Sequence, residues 1–367
     1  MMTAIQNPLQ QSPAVSDSSE RILLILVAGI GDFVMATPAI RAIAHGFSGA
    51  RITLLTTPQA ADLARACPYL DETQVFDLRA YRPGERGLGW RAWRRFLEVT
   101  ADLAARRFCL AVDLYAVASW MGAVRLALLL SRLKAGRTAG RWSRGKGLIF
   151  RLRSADRLHE TDAMLALAEA LGCPADDPVP ELWIPEAARL SAAGRLSLIG
   201  ISPSTPYAVL QMGSNKPEAR LPAEKAAEIA RRIRERLGLA VVLTGGKDEA
   251  SMIEGTCRRI GAGSHNLAGA TDLLALAAIL GGAQVVVATD SGPMHMAVAA
   301  GAPTVALFGA GDPLRFGPRG FPDQIAILQS RTRFRARDRW HTDLTADAVV
   351  EAMRGLVRGR RVGADMK

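Results

Sequence analysis

Val285-Val286-Val287-Ala288-Thr289-Asp290-Ser291-Gly292-Pro293-Met294-His295-Met296-Ala297-Val298-Ala299-Ala300-Gly301-Ala302-Pro303-Thr304-Val305-Ala306-Leu307-Phe308-Gly309 is the stretch that decides the fold. A β-branched run meets a polar turn, and an alanine-rich segment of about two helical turns follows before Gly301, Pro303 and a second apolar run. The pattern predicts strand, loop, short helix, strand. In a parallel sheet such a loop lies at the carboxyl edge, where the unpaired N–H groups that open the helix face the ligand side. Asp290, Ser291, Gly292, Pro293, Met294 and His295 are therefore candidate ligand residues, and the ligand they suit is an anion such as phosphate.

Similar units lie upstream. Tyr207 to Met212 reads as a strand, followed by a polar loop with Gly213, Ser214, Lys216 and Arg220, and then by a helix from Ala223 to Leu237. Leu239 to Thr244 is a further strand, leading into Gly245-Gly246-Lys247-Asp248-Glu249, and Leu273 to Leu280 is a helix. In the first half, Arg21 to Val27 is a continuous apolar run of the kind buried on both faces of a parallel sheet. The turn Ala28-Gly29-Ile30-Gly31-Asp32 follows, and then a helix from about Phe33 to Ala44 interrupted by Pro38. Strands at Arg51–Thr56, Gln74–Asp77 and Phe108–Leu114 alternate with helices at Gln59–Ala66, Trp90–Ala105, Trp120–Leu133 and His159–Leu171. This alternation predicts parallel sheets covered by helices. Two such halves in 367 residues predict two Rossmann-like domains facing a central cleft, the GT-B layout.

The boundaries follow from composition. Residues 1–20 are polar and lack the basic and apolar regions of a signal peptide, so they are expected to be a disordered tail. Residues 21–186 form the first domain, 187–206 a linker, 207–345 the second domain, and 346–367 a terminal helix and tail. No apolar run approaches the roughly 18 residues of a spanning helix. Cys67, Cys109, Cys173 and Cys257 are scattered without a CxxC pair, which argues against a zinc site or a disulfide framework and fits a cytoplasmic protein.

The net charge of +11 is uneven, with ten basic residues against the single acid Asp156 between Arg125 and Arg157. Such a patch attracts nucleic acid, an anionic membrane face or an acidic substrate. With 5% aromatic residues and no aromatic-interleaved basic motif, single-strand stacking platforms are disfavoured. Gly136, Gly140, Gly145 and Gly147 break any long membrane-surface helix over Val124–Phe150, so a loop-rich basic edge is expected there. A nicotinamide-dependent dehydrogenase is disfavoured as well: Gly29 and Gly31 begin a dinucleotide fingerprint, but Val34 stands at the third glycine position.

The sequence resembles glycosyltransferase family nine, the heptosyltransferases of lipopolysaccharide synthesis. The resemblance is carried by Gly31-Asp32-Phe33-Val34-Met35-Ala36-Thr37-Pro38, Pro68-Tyr69-Leu70-Asp71-Glu72, Arg107–Leu114, Leu243–Asp248, Leu267-Ala268-Gly269, Asp290–Ala297 and Leu307-Phe308-Gly309 with Asp312-Pro313. It implies a peripheral cytoplasmic, monomeric enzyme that moves a sugar with inversion from a nucleotide donor, typically ADP-heptose. The acceptor would be the lipopolysaccharide inner core or another anionic glycan, with no metal, no further cofactor and no nucleic acid partner.

Such a reaction needs a carboxylate to take the acceptor proton. Asp32 matches that position, although an Asp at a strand-to-helix turn is also a common cap. Gly31, Thr37, Arg137 and Arg141 are expected on the acceptor side. Gly213, Ser214, Lys216, Arg220, Thr244, Gly245, Gly246, Glu249 and Asp290–His295 are expected around the donor. Two departures stand out. Ala219 occupies the place of a phosphate-binding lysine, leaving Lys216 or Arg220 to supply the charge, and the cysteine-rich insert of many relatives is absent from Thr332–Asp343. A donor other than ADP-heptose, a basic nucleic-acid-binding protein and a non-catalytic scaffold are the competing readings.

Overall fold

The computed structural model describes residues 20–76, 90–116, 120–141, 158–214, 217–331 and 341–364. The chain divides into two compact units, Met1–Pro178 and Val179–Lys367.

The first unit runs β1 (Arg21–Leu26), α1 (Ile30–Gly46), β2 (Arg51–Thr56), α2 (Ala61–Arg65), β3 (Glu72–Val75), α3 (Trp90–Ala105), β4 (Leu110–Asp113), α4 (Trp120–Leu133), β5 (Arg137–Gly140) and α5 (Glu160–Ala170). The strands are parallel in the order β3-β2-β1-β4-β5. Ile22 to Leu26 of β1 are all buried, as a central strand covered by helices on both faces requires. Chain order reverses between β1 and β4, so their carboxyl ends bound the crevice in which this kind of sheet takes ligands.

One correction concerns the basic edge. Arg137–Gly140, expected within a loop-rich segment, is an edge strand whose Arg137 N–H donates to the Cys109 carbonyl at 2.8 Å. Four residues reading Arg-Thr-Ala-Gly carry no strand pattern of their own, and pairing with β4 supplies the order. The rest of the expected loop, 142–157, lies outside the described residues.

The second unit runs α6 (Glu186–Leu198), β6 (Tyr207–Gln211), α7 (Ala223–Leu237), β7 (Ala240–Thr244), α8 (Ala250–Ile260), β8 (Ser264–Asn266), α9 (Leu273–Gly282), β9 (Val285–Thr289), α10 (Gly292–Ala299), β10 (Thr304–Phe308), α11 (Pro313–Phe316), β11 (Ile325–Gln329) and α12 (Ala346–Ala364). Its parallel sheet has the order β11-β10-β9-β6-β7-β8. The switch of direction falls between β6 and β9. Leu210, Leu243, Val287 and Leu307 pack under α7 and α12, whose Ile229, Ile233, Val349 and Met353 are fully or almost fully buried. Residues 187–206 are not a plain linker, because α6 occupies most of them and packs against α9.

The opening stretch folds as its pattern predicts. Every residue of β9 and β10 is buried, and α10 lies between them. Gly301 ends that helix at φ +79°, with Gly301 N–H bonded to the Val298 carbonyl and Ala302 N–H to that of Ala297, both at 2.9 Å. This is the paired bonding that a left-handed glycine makes possible after a helix.

Candidate functional site

In the second unit the candidate donor residues lie on loops at the carboxyl ends of β6, β7 and β9. Register pairs Gln211 of β6 with Ala288 of β9, so the loops starting at Gly213 and at Asp290 leave neighbouring strands just past that pair. The first loop is held by Glu249. Its Oε1 accepts the Ser214 N–H at 3.2 Å and lies 2.7 Å from Arg220 Nε, while its Oε2 accepts the Gly246 N–H at 2.8 Å.

Gly213 is glycine for steric reasons, since a Cβ there would collide with the Glu249 carboxylate. Gly245 is similarly confined, by Ile253 and Glu249. Glu249 therefore joins the loops after β6 and β7, and its side chain is only 5% exposed. Both of its oxygens have partners within the protein, and a donor ribose, the ligand expected of Glu249, would have to share them.

Arg220 changes role too. Beyond Glu249 its Nη2 reaches Asp248 at 3.2 Å and its Nε the Ser214 carbonyl at 3.1 Å, so two acids already balance its charge. Lys216, the alternative cation, lies outside the described residues. Thr244 lies below the loops, fully buried, with its hydroxyl donating to Gln211 Oε1 at 2.5 Å. Gln211 was not among the expected residues. A polar side chain ending the buried run Tyr-Ala-Val-Leu is the signal that could have found it.

At the β9–α10 loop, Asp290 N–H bonds the Leu307 carbonyl at 3.2 Å, and the Asp290 carboxylate packs so closely against Gly311 that a Cβ there would collide with it. Ser291 is the N-cap residue, yet its hydroxyl donates backward to the Thr289 carbonyl at 3.0 Å instead of capping the helix. The first turn thus relies on outside acceptors. Pro293 has no N–H, and Met294 N–H is bonded to the Ser291 carbonyl at 3.1 Å. The N–H groups of Ser291 and Gly292 have no acceptor among the described residues, so they are the donors that an anion would meet. The Met294 side chain is core, His295 is buried, and the Thr289 hydroxyl beneath them is buried without a hydrogen-bond partner.

In the first unit Asp32 occupies the third position of α1, where its Oδ2 accepts the Gly29 N–H at 2.8 Å. It is partly buried, in the same first turn as Gly31. Asp32 is thus not the N-cap, which is Gly29, but the third helical residue, whose side chain reaches back to the N-cap N–H. That bond does not exclude proton transfer, because a carboxylate has two oxygens and about four acceptor sites.

Thr37 is not on an acceptor surface: it is fully buried, and its hydroxyl donates to the Val34 carbonyl at 2.8 Å. That carbonyl would ordinarily bond the N–H of residue 38, which proline lacks, so Thr37 satisfies the group that Pro38 orphans. Arg137 is exposed on the sheet edge. Arg141 is not available there. It is buried in a 2.6 Å ion pair with Glu160, the two side chains 2% and 5% exposed.

Near that pair lies Asp113, the last residue of β4, register-paired with Ile25 of β1 and Gly140 of β5. Its Oδ1 accepts the Tyr115 N–H at 3.3 Å, while Oδ2 is buried without a partner. Burial pushes this carboxyl up to about 8, against the opposing pulls of the Tyr115 N–H and the Arg141 charge.

The family model described as glycosyltransferase family 9 (heptosyltransferase) matches residues 115–342. Over 329 residues the chain is 24% identical to the lipopolysaccharide core heptosyltransferase OpsX of Haemophilus influenzae, covering 86% of each protein. Among solved structures, a family 9 glycosyl transferase from Veillonella parvula superposes with a TM-score of 0.77 at 22% identity, over 92% of this chain and 97% of that one. E. coli ADP-heptose LPS heptosyltransferase II gives 0.74 at 20% identity, over 93% and 99%. The two parallel α/β sheets thus have the GT-B fold of heptosyltransferases, and with the family match over residues 115–342 the chain belongs to glycosyltransferase family 9, the heptosyltransferases, and is a glycosyltransferase.

Proposed function

We propose that this glycosyltransferase is an inverting heptosyltransferase that moves heptose from ADP-heptose to a hydroxyl of the lipopolysaccharide inner core. The family match carries the reading, with Asp32 at the turn after β1 as its chemical counterpart. Relatives of the same fold support the choice of donor: one E. coli heptosyltransferase structure is described as bound to ADP and another to ADP-2-deoxy-2-fluoro heptose.

In the proposed reaction the acceptor oxygen attacks the anomeric carbon from the face opposite the diphosphate. The new C–O bond forms as the bond to ADP breaks, and the hydroxyl proton passes to the Asp32 carboxylate. Charge grows on the leaving diphosphate. The open N–H groups of Ser291 and Gly292, at the positive end of α10, are the groups proposed to meet it, a role that does not call for a metal ion. Gln211, Thr244 and Glu249 hold the loops after β6 and β7 in place.

A second reading, a different nucleotide sugar on the same fold, is favoured by Ala219 at the expected lysine position and by the acids that engage Arg220. Purified protein supplied with ADP-heptose and a heptose-deficient core acceptor tests both. Transfer that Asp32→Ala abolishes supports the first reading. Transfer from another nucleotide sugar alone supports the second, and turnover of none would overturn both.

A further inference from the structure

The exit of β1 is held by two hydroxyls from the strand beside it. Leu26 and Thr56 are register partners at the ends of β1 and β2. The Thr56 hydroxyl donates to the Leu26 carbonyl at 3.0 Å, and that of the next residue, Thr57, donates to the Ala28 carbonyl at 2.8 Å. Both threonines are fully buried, as are Leu26 and Ala28. Solvent does not reach these carbonyls, so each depends on its threonine.

The two bonds differ in what lies beyond them. The Ala28 carbonyl and the Gly29 N–H belong to one planar peptide group and point in opposite directions. Gly29 N–H donates to Asp32 Oδ2 at 2.8 Å. One rigid plane therefore carries the Thr57 hydroxyl at one edge and the Asp32 carboxylate at the other. Donation to the carbonyl polarises the amide, strengthens its N–H as a donor, and holds the plane against rotation about its flanking bonds. The far end is closely packed, since a Cβ on Gly29 would stand 3.3 Å from Asp32 Oδ2. The Thr56 bond acts on the plane that joins Leu26 to Val27, two peptides back from the one that Asp32 engages.

We infer that Thr57 is a positioning residue for the transfer reaction: through the Ala28–Gly29 peptide its hydroxyl sets the orientation in which Asp32 meets the acceptor hydroxyl. The inference rests on the reading of Asp32 as the proton acceptor. A base must lie within hydrogen-bond reach of the proton it takes, and a misplacement of about 1 Å costs about 10²-fold in rate.

The test follows transfer from ADP-heptose to a heptose-deficient core acceptor by the full chain, with melting curves for every variant. Thr57→Val keeps the volume and removes the hydroxyl, and it should lower kcat about 10- to 100-fold while leaving the donor KM at the wild-type value. Thr57→Ser returns the hydroxyl and should restore most of the rate. Thr56→Val deletes an equally buried hydroxyl and should keep kcat near wild type, although both valine variants melt earlier. Added to Asp32→Asn, Thr57→Val should cost little further rate, because residues that act as a unit are not additive. If Thr57→Val does not fold, Thr57→Ala removes the same hydroxyl and takes its place. Unchanged kcat in the folded variant, no recovery with serine, an equal rate loss in Thr56→Val, or a full further loss on top of Asp32→Asn would overturn the proposal and leave the base assignment standing. Wild-type kcat in Asp32→Asn would overturn the base assignment itself, and the role of Thr57 with it.

Discussion

Arg220 and Glu249 meet at 2.7 Å between Nε and Oε1, and the pair ties the loop after β6 to the loop after β7. Removing the carboxylate leaves the Ser214 and Gly246 N–H groups and the Arg220 guanidinium without their shared acceptor. Glu249→Ala is expected to cost about 2–4 kcal/mol in stability. Chemical denaturation checks this. A variant as stable as wild type that had lost only nucleotide affinity would instead restore Glu249 to the donor.

Asp32→Asn separates the two roles of that residue. Asparagine keeps an oxygen for the Gly29 N–H but cannot take a proton at neutral pH. The melting temperature should hold nearly constant while kcat falls about 10²–10⁴-fold. Equal losses of stability and rate would indicate a purely capping role.

Thr37→Val tests the hydrogen bond that the buried Thr37 hydroxyl makes inside α1. The substitution keeps volume and removes the hydroxyl that satisfies the Val34 carbonyl beside Pro38. A loss of about 1–2 kcal/mol is expected, with the acceptor KM unchanged. A raised KM at unchanged stability would contradict the placement.

Asp113 makes stability depend on pH. Its folded value of about 8 lies above the ordinary carboxyl value, so between about 4 and 8 the folded chain holds a proton that the unfolded chain has released. Stability from this group is therefore fully present below pH 4 and is lost as pH rises towards 8. Asp113→Asn stays neutral throughout, so its melting temperature should fall less between pH 5 and 8 than that of wild type. Parallel curves for the two proteins would show that Asp113 is ionised in the fold.

Much of this was legible along the chain because it is local. Val285 to Gly309 carries its own strand, turn and helix stop, and Gly301 realises the left-handed end that its position implied. Gly31-Asp32 and Asp290–His295 announced loops at the ends of buried strands, and the family followed from their order. The short edge strand Arg137–Gly140, helix α8 and strand β8 were not legible, because neighbours rather than their own pattern order them.

The sequence by itself determined two parallel α/β units and the loops on which ligand residues would stand, since burial on both faces of a strand needs an unbroken apolar run that can be read in place. Tertiary structure decided which side chains remain available. Arg141 and Glu160 lie 19 residues apart and Glu249 and Ser214 lie 35 apart, so no local pattern announces that they neutralise or bond one another. A hydroxyl, guanidinium or carboxylate is equally polar in the sequence whether it faces a substrate or satisfies a buried group, and only the folded chain distinguishes the two.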